Sequence, residues 1–80
     1  MTKEEIFDTV KKITVDELDV DENKVTLDAK IKDDLDADSL DVFEIMNELE
    51  DKFDIELDAD ENVETIGDVV DFVKKQVDEK

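Results

Sequence analysis

Three stretches of this 80-residue chain place their large apolar residues three and four apart, and that spacing constrains its fold more than any other feature. Ile6, Val10 and Ile13 share one face of a stretch from about Lys3 to Leu18, with Phe7 and Leu18 widening the stripe and Val15 falling off it. Val42, Ile45, Met46, Leu49 and Phe53 form a second stripe from Ser39 to about Phe53, with Leu40 and Phe43 beside it and partly exposed. Ile66, Val69, Val70, Val73 and Val77 form a third after Thr65, with Phe72 at its edge. Each stretch opens on a capping residue with an acid three positions later: Thr2 and Glu5, Asp38 and Asp41, Thr65 and Asp68. In that arrangement the two side chains satisfy each other's free backbone N–H groups.

The connections are less regular. Residues 19–37 hold no helical period, but Val20, Val25, Leu27, Ile31 and Leu35 recur among the acids. A connection of this length is uncommon in a small domain and signals either function or missed structure. We expect an ordered loop pinned to the core by those five residues, with a short turn of helix in it. Ile55 and Leu57 alternate with acids, yet nothing nearby could pair with a strand there. A loop and a short helix around Asp60 to Glu64, burying Val63, is expected instead. The fold class is therefore all-α: a small irregular four-helix bundle, three main helices and one short, with a long first loop. Residues 1–80 are expected to form one domain.

Charge decides which functions such a bundle can have. There are 28 acidic residues against 10 basic ones, all lysine, for a net charge of −18. Leu, Ile, Val and Phe supply 26 of the 80 residues, well above the ~20% below which a charged chain stays disordered. A chain this acidic does not suit nucleic acid or an anionic membrane, both of which need clustered Lys and Arg. Its natural complement is a protein with a basic patch. With no Cys and no His, there is no thiolate nucleophile, disulfide, zinc site or ordinary general base. No apolar run approaches the ~20 residues that cross a bilayer, and "MTKEEIF" lacks the layout of a signal peptide. The simplest expectation is a cytoplasmic monomer without membrane insertion.

Calcium binding is a competing reading. "DVDEN" at Asp19 to Asn23 begins like an EF-hand loop, but Lys24 and Lys30 stand where Gly and Glu are needed. "DADEN" from Asp58 fails likewise, at Val63 and Val69. No metal site is expected, only weak divalent screening; an acidic decoy for a basic surface is a further alternative.

One residue asks for more than folding. Ser39 is the only serine, and it stands just inside a helix that Asp38 already caps. Read plainly it is a second helix-start residue. Read functionally its hydroxyl is an attachment point, exposed where the free N–H groups and the helix dipole favour a phosphate. A hydrolase-type serine is excluded, because there is no His and no Gly-rich elbow.

"LDADSLDVFEIMNELEDKFDIEL", residues 35 to 57, resembles the signature of the acyl carrier protein family, in which Asp-Ser-Leu opens the second helix. The likeness spans nearly the whole chain, from "VKKITVDELDVDENKVT" to the last amphipathic helix. It implies that Ser39 carries a 4′-phosphopantetheine arm derived from coenzyme A. Asp38 and Leu40 would then be contacted by the phosphopantetheinyl transferase that installs it. Asp41, Glu44, Glu48 and Asp51 match the acidic face that partner enzymes read through basic docking patches, and Phe43 matches an apolar partner contact. Ile45, Met46, Leu49, Val63, Ile66 and Val70 become candidates for an acyl-chain cavity, against the plain reading of each as core. The implied protein is a carrier rather than an enzyme, holding growing fatty acyl chains as thioesters for fatty acid synthesis enzymes. A polyketide or other dedicated acyl-transfer system is the alternative. Two positions depart from the family pattern: Asp36 stands where Gly is usual, and Asp58 where Pro is usual.

Overall fold

The computed structural model describes residues 2–56 and 63–79. Among them are three α-helices and no strand: α1 (Lys3–Leu18), α2 (Ser39–Phe53) and α3 (Ile66–Asp78). The three capping boxes form as the sequence indicates. Thr2 Oγ1 accepts from Glu5 N, Asp38 Oδ1 from Asp41 N and Thr65 Oγ1 from Asp68 N, with the acid reaching back each time. Two helices end on an aspartate in the left-handed region, Asp19 after α1 (φ 53°) and Asp54 after α2 (φ 55°). Glycine is usual at such ends, but Asp is among the few other residues that tolerate the conformation.

α1 is the central element. It packs against both α2 and α3, whereas no comparably extensive backbone approach joins α2 to α3. Ile6 and Val10 from α1, Ile45 and Leu49 from α2, and Ile66, Val69, Val70 and Val73 from α3 are buried in one cluster. Each fully buried aliphatic side chain stabilises the fold by ~1.5–3 kcal/mol. Thr14 also lies in this core, fully buried, although no apolar stripe singles it out. Its hydroxyl donates to the Val10 carbonyl at 2.7 Å, which satisfies the polar atom and lets the methyl group pack. Val15, off the expected stripe, is half-buried against the same cluster.

The long first connection is ordered. It holds one 3-10 turn (Glu22–Lys24), the short helical turn expected there. Val25, Ile31 and Leu35 are buried as expected and Val20 is half-buried. Leu27 is not an anchor: it is 44% exposed, and Ala29 and Ala37 fill the core in its place. What holds Leu27 is its backbone, because its carbonyl accepts from Gly67 N at 2.8 Å.

That bond belongs to a set joining the loop to the start of α3. Ile66 N donates to the Ala29 carbonyl and Ile31 N to the Glu64 carbonyl, at 3.0 and 2.9 Å, forming a one-residue antiparallel bridge between Lys30 and Thr65. The first-turn N–H groups of α3 are thus taken up by the loop, so the loop caps the helix as well as filling the core. The short helix expected around Asp60 to Glu64 falls mainly outside the described residues. Val63 and Glu64 are non-helical, and Val63 is half-buried.

Candidate functional site

The approach to Ser39 is a tight reversal. Asp34 N and Leu35 N both donate to the Lys30 carbonyl, Lys30 N donates to Asp34 Oδ2, and Ala37 N donates to the Ile31 carbonyl. Asp36 takes up the turn with φ 57°. This left-handed value is the physical reason a glycine suits the position, and it shows where the chain's departure from the family pattern falls. Asp58 lies outside the described residues.

The reversal delivers Asp38 to the start of α2. Asp38 Oδ1 accepts from Asp41 N at 2.9 Å, and Asp41 Oδ2 accepts from Asp38 N at 3.3 Å. Both carboxylates are therefore turned onto backbone amides. Ser39 stands between them in sequence, exposed, and among the described residues its hydroxyl has no hydrogen-bond partner. The N–H groups of Ser39 and Leu40 likewise meet no protein acceptor there. The contrast with α3 is direct: there the loop covers the helix start, whereas at α2 the helix start is open. A phosphodiester on Ser39 would meet unpaired amides at the positive end of a helix. The residues present fit such a group.

The other expected site residues divide into three sets. Leu40 and Phe43 are 64% and 51% exposed, two large apolar side chains in solvent within one turn of Ser39. Glu44, Glu48 and Asp51 are exposed along the outer side of α2, whereas Asp41 is half-buried and committed to the cap. Ile45, Met46, Leu49, Ile66 and Val70 are all buried in the common core, with Val63 packed at its edge. None of the clefts described below is lined by those five buried residues.

The acidic face extends onto α1, which the sequence did not indicate. Glu17 lines a shallow groove with Glu44, Asn47, Glu48 and Asp51. Partial desolvation against α2 raises the Glu17 pKa above its ordinary value, with the Glu44 carboxylate next and Glu48 and Asp16 adding to it. The neighbouring Glu44 carboxylate therefore opposes ionisation of Glu17. Among the described residues no group of acids could hold a metal ion. Nor, among the described residues, is any helix long and apolar enough to cross a membrane.

Comparison with known proteins places this geometry. The family model described as "Phosphopantetheine attachment site" matches residues 8–73, a span that contains Ser39. An acyl carrier protein of Streptococcus pneumoniae is 46% identical over 71 residues, covering 89% of this chain and 95% of that one. One from Exiguobacterium sibiricum is 46% identical over 79 residues, covering 96% and 100%. The solved structure of the thermally stable acyl carrier protein from Enterococcus faecalis superposes with a TM-score of 0.77 at 40% identity, over 95% of this chain and 99% of that one. The chain belongs to the acyl carrier protein family, whose members have a phosphopantetheine attachment domain. It is a carrier with phosphopantetheine as its prosthetic group, not a catalyst.

Proposed function

We propose that Ser39 is the attachment residue and that the protein carries acyl groups for fatty acid synthesis. The observation that carries this reading is the exposed, unpartnered Ser39 hydroxyl at the open start of α2, flanked by two carboxylates turned onto backbone. When bound, the arm supplies a terminal thiol that holds an acyl group as a thioester. Everything else is done by this chain's own residues. The Ser39 and Leu40 amides stabilise negative charge at the attachment point. Asp38 and Asp41 keep the helix start rigid, so the hydroxyl is presented in one position. A tether of this kind raises the effective concentration of cargo at a docked enzyme.

Leu40 and Phe43 would supply the apolar part of docking, and Glu44, Glu48 and Asp51 the charge that meets a partner's basic patch. The partners in this reading are a phosphopantetheinyl transferase and the fatty acid synthesis enzymes, met by a single carrier domain acting as a monomer. An acyl chain would enter between α2 and α3 and be lined by Ile45, Met46, Leu49, Val63, Ile66 and Val70. The support for that route is the limited backbone contact between these two helices. It would require the buried side chains to part, since they fill the seam when no chain is there. Incubation with a phosphopantetheinyl transferase and coenzyme A, followed by intact mass and peptide mapping, tests the attachment residue directly.

A further inference from the structure

Three clefts are described, and they differ in charge. The groove between α1 and α2 is lined by four carboxylates, from Glu17, Glu44, Glu48 and Asp51. The cleft beyond the end of α2 has three, from Asp54, Glu56 and Glu79, and no lysine. The third lies where the loop meets the segment before α3, and it is lined by Lys30, Lys32, Asp33, Val63 and Glu64. Its two lysines balance its two carboxylates. Among the described residues neither lysine has a carboxylate within ion-pair distance, although Lys3, Lys12 and Lys74 all do. On a chain of net charge −18, this is the one described cleft from which an anion is not repelled by its own lining.

The cleft is also close to Ser39. Ile31, between the two lysines, accepts from Ala37 N at 3.1 Å and donates to the Glu64 carbonyl at 2.9 Å. Its backbone therefore joins the approach to Ser39 on one side and Val63–Glu64 on the other. Ala37 and Ser39 are two residues apart, roughly 7 Å at full extension. A phosphopantetheine arm has fourteen bonds from serine oxygen to thiol, which extend to roughly 17 Å at a backbone-like ~1.2 Å per bond. An arm that long exceeds the span from Ser39 to Ala37, whose N–H is bonded to Ile31 between the two lysines.

We propose that the Lys30–Lys32–Val63 cleft seats the carboxylate end of an acidic acyl group, a dicarboxylic half-thioester, tethered at Ser39. The two ammonium groups meet the carboxylate, and half-buried Val63 contacts the methylene segment. The seat is a weak one, because exposed ion pairs are screened and loosely held. Tethering makes a weak seat usable, since the cargo is present at high local concentration. The neutral acyl chain gains nothing from the lysines, so the cleft would distinguish acidic from neutral cargo. This inference rests on Ser39 as the attachment residue.

The test uses the full chain, loaded through the arm with a succinyl group or with the neutral isocaproyl group of the same shape. Intact mass is read first, then amide and lysine resonances by NMR. The expected result is displacement of resonances at Lys30–Asp33 and Val63–Glu64 in the succinyl form relative to the isocaproyl form. The difference should shrink as NaCl rises and be lost in Lys30→Gln/Lys32→Gln, whose exposed side chains leave the fold intact. Matching spectra in those segments for the two loaded forms overturn the proposal, as does a difference that survives in the double variant. A chain that gains no mass at Ser39 overturns the attachment reading and this inference with it.

Discussion

The Gly67 N–H donates to the Leu27 carbonyl at 2.8 Å, and a β-carbon at position 67 would stand 2.8 Å from the same oxygen. The chain's one glycine is therefore kept for a close approach between the loop and the first turn of α3. Helix propensity alone would favour Gly67→Ala by up to ~1 kcal/mol. The overlap is with backbone, which cannot swing aside, and forcing it costs ~1–3 kcal/mol. Gly67→Ala should therefore lose about 1–2 kcal/mol, read as a lower urea midpoint at unchanged slope.

Asp36 makes the opposite prediction. It holds φ 57° just before Ser39, a conformation that costs most residues ~1–2 kcal/mol and glycine almost nothing. Asp36→Gly should stabilise the protein. Asp36→Ala removes the same charge but carries the full backbone cost, since Ala tolerates the left-handed region less well than Asp, so it separates the two effects. The glycine variant should exceed the alanine variant by about 1 kcal/mol after allowing for glycine's greater unfolded-state freedom. Equal melting curves for the two would show that charge, not backbone, sets the effect.

Much of this architecture was legible in local chemistry. The helix boundaries follow from cap pairs and three- and four-residue spacing, both of which are short-range. The loop was harder because its order comes from hydrogen bonds to α3, more than thirty residues away in sequence. Leu27 was expected inside from its size, yet the loop keeps its carbonyl on Gly67 and turns its side chain out. Ala29 and Ala37 are too small to mark a pattern, and Thr14 is buried only because its hydroxyl bonds within its own helix. At the site, Ser39 was visible as a lone serine at a helix start. Glu17, Lys30 and Lys32 were not, since their significance lies in what the fold brings beside them.

Titration of these acids should show opposing trends. Glu17 has a raised pKa in the folded state, from partial desolvation and then from Glu44, Glu48 and Asp16. The folded protein therefore holds this proton more tightly than the unfolded chain, and Glu17 lowers stability as pH climbs through its raised value. Glu5 and Asp68 have lowered values, chiefly from backbone amides at Thr2 and at Thr65 and Glu64. Their contribution is full above the ordinary carboxylate range and is lost as pH falls through the lowered values. Glu17→Gln should raise the melting temperature at pH 7 and leave it little changed well below pH 4.5, the group's ordinary value. Asp68→Asn should do the reverse, costing stability at pH 7 and little in strong acid.

The α2 acids should matter to partners more than to folding. Glu44 and Glu48 are one turn apart and like-charged, and together they crowd Glu17. Such pairs repel by a few tenths of a kcal/mol, ~0.2–0.5. Reversing both to Lys should leave the melting temperature equal or higher, since Glu17 then faces cations. The same change should slow modification by the transferase and reduce its salt dependence. Reversal of Glu22 and Glu56, exposed and outside α2, is the control for net charge. Equal slowing by both pairs would mean that charge alone is read.

The most direct measurement of the account is the mass of the chain after treatment with a phosphopantetheinyl transferase and coenzyme A, for the wild type and for Ser39→Ala. Asp38 still caps α2 in the variant through Asp41 N, so its stability should stay within ~1 kcal/mol of wild type. The account predicts one added phosphopantetheinyl group on the wild type, mapped to Ser39, and none on the folded variant. A wild-type chain that gains nothing, or a variant that is still modified, would contradict it.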